Sequence, residues 1–254
     1  MGRIHLVDST SKSKAAVQKI LLSDHDRVFI AVKQVFHEQP GDLALITVGT
    51  VDGQVYLFDL KHGGDIMFEG LLWRVLQSQQ LLKIIHDCRH ASAALHRQFG
   101  VSMRDVFDTQ AAYCLLMVDQ RLTPRHISTT DLYYKYGDHD EALVQCIQER
   151  VDAAGIFWCQ RPLSKGMIRS AACDVQMLMS HVYENMNREI TALALERDLA
   201  EYIKAYNHGT KQVSKLQKMA TLKVQRSRRP VLALTDRQTE LLRNTIHPVD
   251  LVIT

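Results

Sequence analysis

No Cys-x-x-Cys pair occurs in the 254 residues, and the five cysteines (Cys88, Cys114, Cys146, Cys159 and Cys173) are odd in number and scattered. That excludes a disulfide framework and paired-thiolate zinc sites, and it fits a reducing compartment. Long apolar runs are missing as well. The longest, AAYCLLMV (Ala111–Val118), is far short of the roughly 20 residues that a membrane span needs. The opening MGRIHL has no charged-then-apolar leader and lacks the Ser or Thr of a myristoylation site, so no secretory leader or lipid anchor is expected. No internal repeat or low-complexity tract appears, which removes repeat architectures. His86 and His90 stand four apart, a spacing that could hold a metal on a helix. But His86 falls at a strand end and no third ligand is evident, so no metal site is read there.

Charge is nearly balanced at +3, yet unevenly spread: residues 191–254 carry 11 Lys/Arg against 6 Asp/Glu. That leaves the first 190 residues at −2, so attraction for polyanions is concentrated in the last quarter. From Lys204 to Arg229 there are eight basic residues (Lys204, Lys211, Lys215, Lys218, Lys223, Arg226, Arg228, Arg229) and no acid. Lys211, Lys215 and Lys218 share one helical face while Val213, Leu216 and Ala220 take another. The pattern reads as a basic amphipathic helix for nucleic acid or, more plainly, as a solvated extension. Upstream, Leu195, Leu199, Tyr202 and Tyr206 form a stripe that either packs on its own domain or makes a homodimer interface.

Periodicity gives a short extended piece, IHLVDSTSKS, with Ser/Thr caps, and then a helix in KAAVQKILL. Three strand-like runs follow, RVFIAVKQVF, DLALITVGT and QVYLFDL, the last pair joined by the turn signal VDG. DIMFEGLLWRVLQS reads as a helix, LLKIIHD as a buried strand, and HASAALHRQFG as a helix closed by Gly100. VFDTQAAYCLLM gives a strand and a helix, with Asp108 either a helix cap or a group supporting the site from behind. After about Thr123 the pattern is helical. Trp73 and Trp158 read as core; the tyrosines of YYKYGDHDEAL read as helix packing or as platforms for unpaired bases. This order indicates an α/β fold with a sheet of mixed direction.

The landmarks are more specific than the periodicity. HDCRHASAAL, then VFDTQAA, then FWCQRPLSKGMIRSAACDVQML resembles, over about residues 4–190, the DEDD 3′–5′ exonuclease family. Within its ribonuclease D-like group it is most like the animal exonuclease-domain proteins of the piRNA pathway. The resemblance implies a ribonuclease H-like fold with a five-stranded mixed sheet flanked by helices. Residues 1–190 would form that domain and 191–254 a basic helical extension. In active members, four carboxylates hold two divalent ions for in-line phosphodiester cleavage. The resemblance maps the first two acids onto Lys33 and Val35, or with the register shifted by one onto Val32 and Gln34. The third falls on Ala91, the water-orienting ring on Arg169 or Ser170, and the fourth acid is kept as Asp174. A lone Asp174 cannot hold two ions, and Lys33 adds positive charge where the metal would sit.

Asp87, Asp108, Glu38 and Asp42 are not read as substitutes. Lys33 then either pairs with Asp174 in place of the metal or meets a nucleic-acid phosphate. The expected protein is a pseudonuclease without metal or cofactor. What the resemblance implies is an RNA-binding adaptor in piRNA work, acting as a homodimer in cytoplasmic germline granules with PIWI-pathway and Tudor-domain partners. The alternatives are a protein scaffold that binds no RNA and a residual metal-dependent exoribonuclease.

Overall fold

Arg27–Val35 (β2) is apolar on both faces and lies inside the sheet. Phe29 and Val35 enter one core, Val28 and Ile30 the other. A strand covered by helices on both sides reads as a near-continuous apolar run rather than an alternation. The computed structural model describes residues 2–35, 41–62, 64–150 and 155–207.

β2 is followed by the antiparallel strands β3 (Asp42–Thr50) and β4 (Val55–Asp59), turned by the VDG segment with Gly53 at φ +86°. That conformation costs glycine nothing. β1 (Ile4–Val7) pairs parallel with β4, and β5 (Leu82–Ile85) and β6 (Val106–Asp108) extend the other side in parallel. The order is β1-β4-β3-β2-β5-β6, so the sheet has six strands and not the expected five. The added strand is IHLV, long enough for a full ladder against Val55–Phe58.

One face is covered by α1 (Thr10–Leu22), α2 (Leu72–Gln77) and α3 (Cys88–Phe99). The other carries α4 (Thr109–Asp119), α5 (Thr129–Tyr136), α6 (Glu141–Gln148), α7 (Lys165–Met179) and α8 (Val182–Ala192). α9 (Glu196–Asn207) closes the described chain. Side-chain caps mark the starts: Ser9, Ser128, Asp140 and Ser164 each accept from a backbone N–H three residues on. Gly100, at φ +64°, closes α3 as expected, its N–H donating to the His96 carbonyl. The helix read over DIMFEGLLWRVLQS is shorter than expected. Gly70 leaves no room for a side chain and Leu71 is left-handed, so only Leu72–Gln77 is helical.

The boundary drawn at 190 falls inside α8, and α9 packs on α3, α4 and β6, so the described part of the extension belongs to the first unit. A second unit, Ser214–Thr254, lies outside the described residues, as do Lys211 and Glu38.

Arg161, from the RPL element, ties the chain before α7 to β4. Its guanidinium meets both oxygens of the buried Asp59 at 2.5 Å and donates to the Trp158 carbonyl at 2.9 Å. Lys83 is the odd residue of β5: fully buried, its ammonium donates to the carbonyls of Leu81, at 2.6 Å, and Ser78. Burial pushes its pKa down to about 8 from 10.5. Between these values the unfolded chain binds a proton that the folded chain does not, so stability contributed by this group rises with pH across that window. Urea unfolding at pH 7 and pH 10 should show the wild type gaining about 2 kcal/mol relative to Lys83→Met. Parallel pH dependence of the two proteins would show that the buried amine does not titrate there.

Candidate functional site

The ends of β2 and β5, with α3 on one side and α7 on the other, enclose a cleft of about 280 Å³. Its walls include Lys33, His86, Asp87, Ala91, Arg150 and Asp174. Lys33, Ala91 and Asp174, which the resemblance maps onto metal-ligand positions, therefore meet in one place.

Asp174, on α7, has both oxygens engaged. Lys33 Nζ lies 2.6 Å from Oδ2, and Arg150 Nη1 donates to Oδ1 at 3.1 Å. The three side chains are 15–20% exposed, shielded enough for the charges to be felt strongly. Lys33 Nζ also stands 4.8 Å over the ring of Trp158, which is buried as expected. Two cations on one carboxylate leave the cleft floor with a surplus positive charge.

None of the remaining mapped positions is an acid; Arg169 is exposed and pairs with Glu149 at 3.2 Å. Val35 is in the core, Ala91 and Ser170 are buried, and Gln34 donates its side-chain amide to the His90 carbonyl at 3.0 Å. Neither register of the first motif supplies an acid. Among the described residues, no three His, Cys, Asp or Glu side chains converge on one point. A divalent ion does not fit this donor set, because Asp174 is already paired with Lys33 and Arg150, and the other carboxylate of the walls, Asp87, with Arg89.

The other acids and imidazoles nearby are structural. Asp108, fully buried, accepts from four backbone N–H groups: Asp87 at 3.1 Å, Cys88 at 2.8 Å, Gln110 at 2.8 Å and Ala111 at 3.3 Å. It thus caps α4 and also closes the turn into α3. His86 has its Nδ1 2.9 Å from the Thr109 hydroxyl and its Nε2 2.9 Å from the Ile127 carbonyl, so Nε2 carries the proton and neither nitrogen is free for a metal. Burial holds its pKa below the ordinary histidine value, keeping it neutral. Asp87 is left-handed at φ +49° and pairs both oxygens with Arg89. Burial pushes its carboxyl up, but the Arg89 guanidinium outweighs that and holds it below the ordinary range. Asp42 is paired with Arg97 at 2.8 Å.

The stripe offered as a dimer interface turns inward. Leu199 is 5% exposed, and Leu195 and Tyr202 pack against the chain's own core. The physical reason is that α9 lies across α3, α4 and β6, where its apolar face is consumed. The side chain of Tyr206 lies outside the described residues, as do Lys211, Lys215, Lys218, Lys223, Arg226, Arg228 and Arg229. Lys204 is described and exposed on α9. Of the YYKY tyrosines, Tyr133 and Tyr136 are buried and Tyr134 is 40% exposed. Sequence reasoning missed Arg150. It follows α6 with no motif around it, and 24 residues separate it from the acid it serves.

Comparison with known proteins bears on this site. A family model described as 3′–5′ exonuclease matches residues 36–191. The mouse piRNA biogenesis protein EXD1 is 31% identical over 145 residues, covering 55% of this chain and 25% of that protein. The human EXD1 protein is 26% identical over 187 residues, 67% of this chain and 34% of its own length. The Egalitarian protein homolog of Caenorhabditis elegans is 28% identical over 166 residues, 59% of this chain and 29% of that protein. The chain thus spans a quarter to a third of these relatives' length. Among solved structures, Escherichia coli RNase D matches at TM-score 0.63 with 15% identity over 89% of this chain and 60% of that one. The Trypanosoma brucei RNase D complex with RNA U12 matches at TM-score 0.62 with 20% identity, covering 81% and 71%. These two establish the ribonuclease H-like fold.

Two outcomes are expected from the site's own charges. Asp174→Asn leaves Lys33 and Arg150 facing each other and should cost about 2–3 kcal/mol in chemical denaturation. Lys33→Met with Asp174→Asn should recover at least about 1 kcal/mol of that loss, and strictly additive effects would mean that the pair is not coupled. Asp108→Asn turns an amide N–H₂ toward backbone donors and should cost about 2–4 kcal/mol by the same measurement.

Proposed function

The chain belongs to the DEDD 3′–5′ exonuclease family, in its ribonuclease D-like group, and on that premise we propose that it binds RNA without cutting it. One observation carries this reading: Asp174, the mapped fourth acid, is neutralised by Lys33 and Arg150 where active members hold metal ions. Without metal there is no activated water and no Lewis acid for the leaving oxygen. A positively charged cleft at the same place still suits a phosphodiester, as a contact and not as a substrate. The basic residues from Lys204 to Arg229 add phosphate contacts of the kind that give affinity without sequence choice.

The biological setting belongs to the same reading. Similarity to proteins named for piRNA biogenesis supports a role as an RNA-binding adaptor in that process. PIWI-pathway proteins, among them a Tudor-domain protein, would be its partners, and germline cytoplasmic granules its location. Homodimerisation, also part of this reading, would use a surface other than Leu195, Leu199 and Tyr202. The competing reading, a scaffold that binds no RNA, draws on the fact that Asp174 already occupies both cleft cations.

Purified protein should leave end-labelled RNA intact with Mg²⁺ or Mn²⁺, and calorimetry should find no tight site for either ion. Shortening of the RNA that is lost in Asp174→Ala would return the chain to the active enzymes. RNA affinity should fall steeply with salt, with a slope of roughly 0.7 per phosphate contacted on a single strand. Lys211→Glu, Lys215→Glu and Lys218→Glu together should weaken binding to all sequences alike and flatten that slope. If affinity and slope are unchanged, the basic segment is not the binding surface. If no salt-dependent binding is found at all, the scaffold reading stands.

A further inference from the structure

The opposite end of the sheet carries features that RNA binding in the cleft does not use. β1 is an edge strand, and its hydrogen bonds can be followed individually. The Arg3 carbonyl accepts from the Val55 N–H at 3.0 Å, and the register runs from Ile4 opposite Val55 to Val7 opposite Phe58. In a parallel ladder, alternate residues point both backbone groups the same way. Arg3, His5 and Val7 therefore face β4, while the N–H and C=O of Ile4 and Leu6 face outward. Among the described residues no strand pairs with that edge.

Beside it, between β1 and α1, lie two adjoining hollows of about 290 Å³ each, which share His5, Lys19 and Tyr56. Their floor is fixed. The His5 ring stacks on Tyr56 at 4.9 Å and 16°, and its Nε2 lies 2.9 Å from the Gln54 side-chain oxygen. Charge along the walls is mostly positive. Lys12 is held by Asp8 at 2.7 Å and His25 by Asp52 at 3.3 Å. Arg3 and Lys19, both exposed, have no ion-pair partner among the described residues. This is a positive surface on a stretch of chain, residues 1–190, whose net charge is −2.

We propose that this edge accepts an acidic, extended segment of a partner protein as an added strand. Its backbone would pair with Ile4 and Leu6, and its carboxylates would meet Arg3 and Lys19. Charge complementarity selects an anionic occupant, and the open ladder selects a peptide. A nucleic-acid strand could use the cations but has no alternating N–H and C=O groups to offer Ile4 and Leu6. The plainer alternative is that the charges only protect the edge from unwanted pairing.

The test uses the full chain and a fluorescein-labelled octapeptide of alternating Glu and Val, read by fluorescence anisotropy. Two further peptides carry N-methyl groups on complementary sets of alternate residues, so that each blocks one edge of the added strand. Saturable binding is expected below about 1 mM, in the range of weak peptide recognition. One N-methylated peptide should bind like the parent and the other at least about tenfold more weakly, a comparison that leaves the protein unaltered. Arg3→Glu with Lys19→Glu should weaken the parent peptide at least about tenfold, with circular dichroism confirming the fold, while Lys33→Glu should not. Equal binding of both methylated peptides would overturn the added strand and leave only charge attraction. No effect of the double reversal would overturn the location. Binding of hexauridylate here, abolished by the double reversal, without binding of the peptide would give the groove to nucleic acid. No saturable binding of either probe would leave an edge protected and nothing more.

Discussion

A single buried carboxylate holds together the corner around which this molecule is arranged. Asp108 gathers four backbone N–H groups, two from the turn into α3 and two from the first turn of α4. Helix N-termini leave such donors unsatisfied, and here they are out of reach of water. One negative charge answers both helix ends and fixes the ends of β5 and β6 relative to each other. The corner therefore does not need a metal ion to keep its shape. His86, bonded to Thr109 and the Ile127 carbonyl, fastens α4 and the chain beyond it to the same point.

On the proposed reading, that independence lets an exonuclease fold keep its cleft with Lys33 and Ala91 where acids would stand. A divalent ion and a pair of fixed cations solve the same electrostatic problem, the charge of Asp174, by different means. The ion is exchangeable and brings bound water; Lys33 and Arg150 are tethered and bring none. On the proposed reading, Lys33 and Arg150 keep the charge of Asp174 balanced without supplying the reagent. Trp158 completes the arrangement from below, offering its ring face to the Lys33 ammonium where solvent would otherwise be drawn in.

Much of this was legible in the residues because order and spacing carry it. HDCR, FDTQ and RPL followed by Asp174 appear in sequence as in space, and Asp108 before an apolar helical run announces a cap. The Lys33–Asp174 pair was among the readings open in the sequence. What stayed hidden depends on contacts between distant segments. Four residues of IHLV are too few to distinguish a strand from an extended lead-in until β4 is there to pair with them. Arg150 has no motif, and its partner is chosen by how α6 sits on α7. The Leu195–Tyr202 stripe looks identical whether it meets a second copy or its own core. Lys83 within LLKIIHD gives no hint that its ammonium is wholly enclosed.

The Lys33–Asp174–Arg150 cluster also bears on descent. On the proposed reading, gaining one acid at a mapped position would not bring catalysis by a single step. Aspartate at position 33 would set a second carboxylate beside Asp174 with Arg150 alone to answer both. Aspartate at position 91 would bury a charge in a site only 2% exposed, next to a turn whose donors Asp108 already uses. Each of these changes taken alone would be penalised, and none would be rewarded until a full ligand set stood together. If the chain does not cut, as proposed, the cluster would work as a ratchet, holding the cleft in that state against any single change.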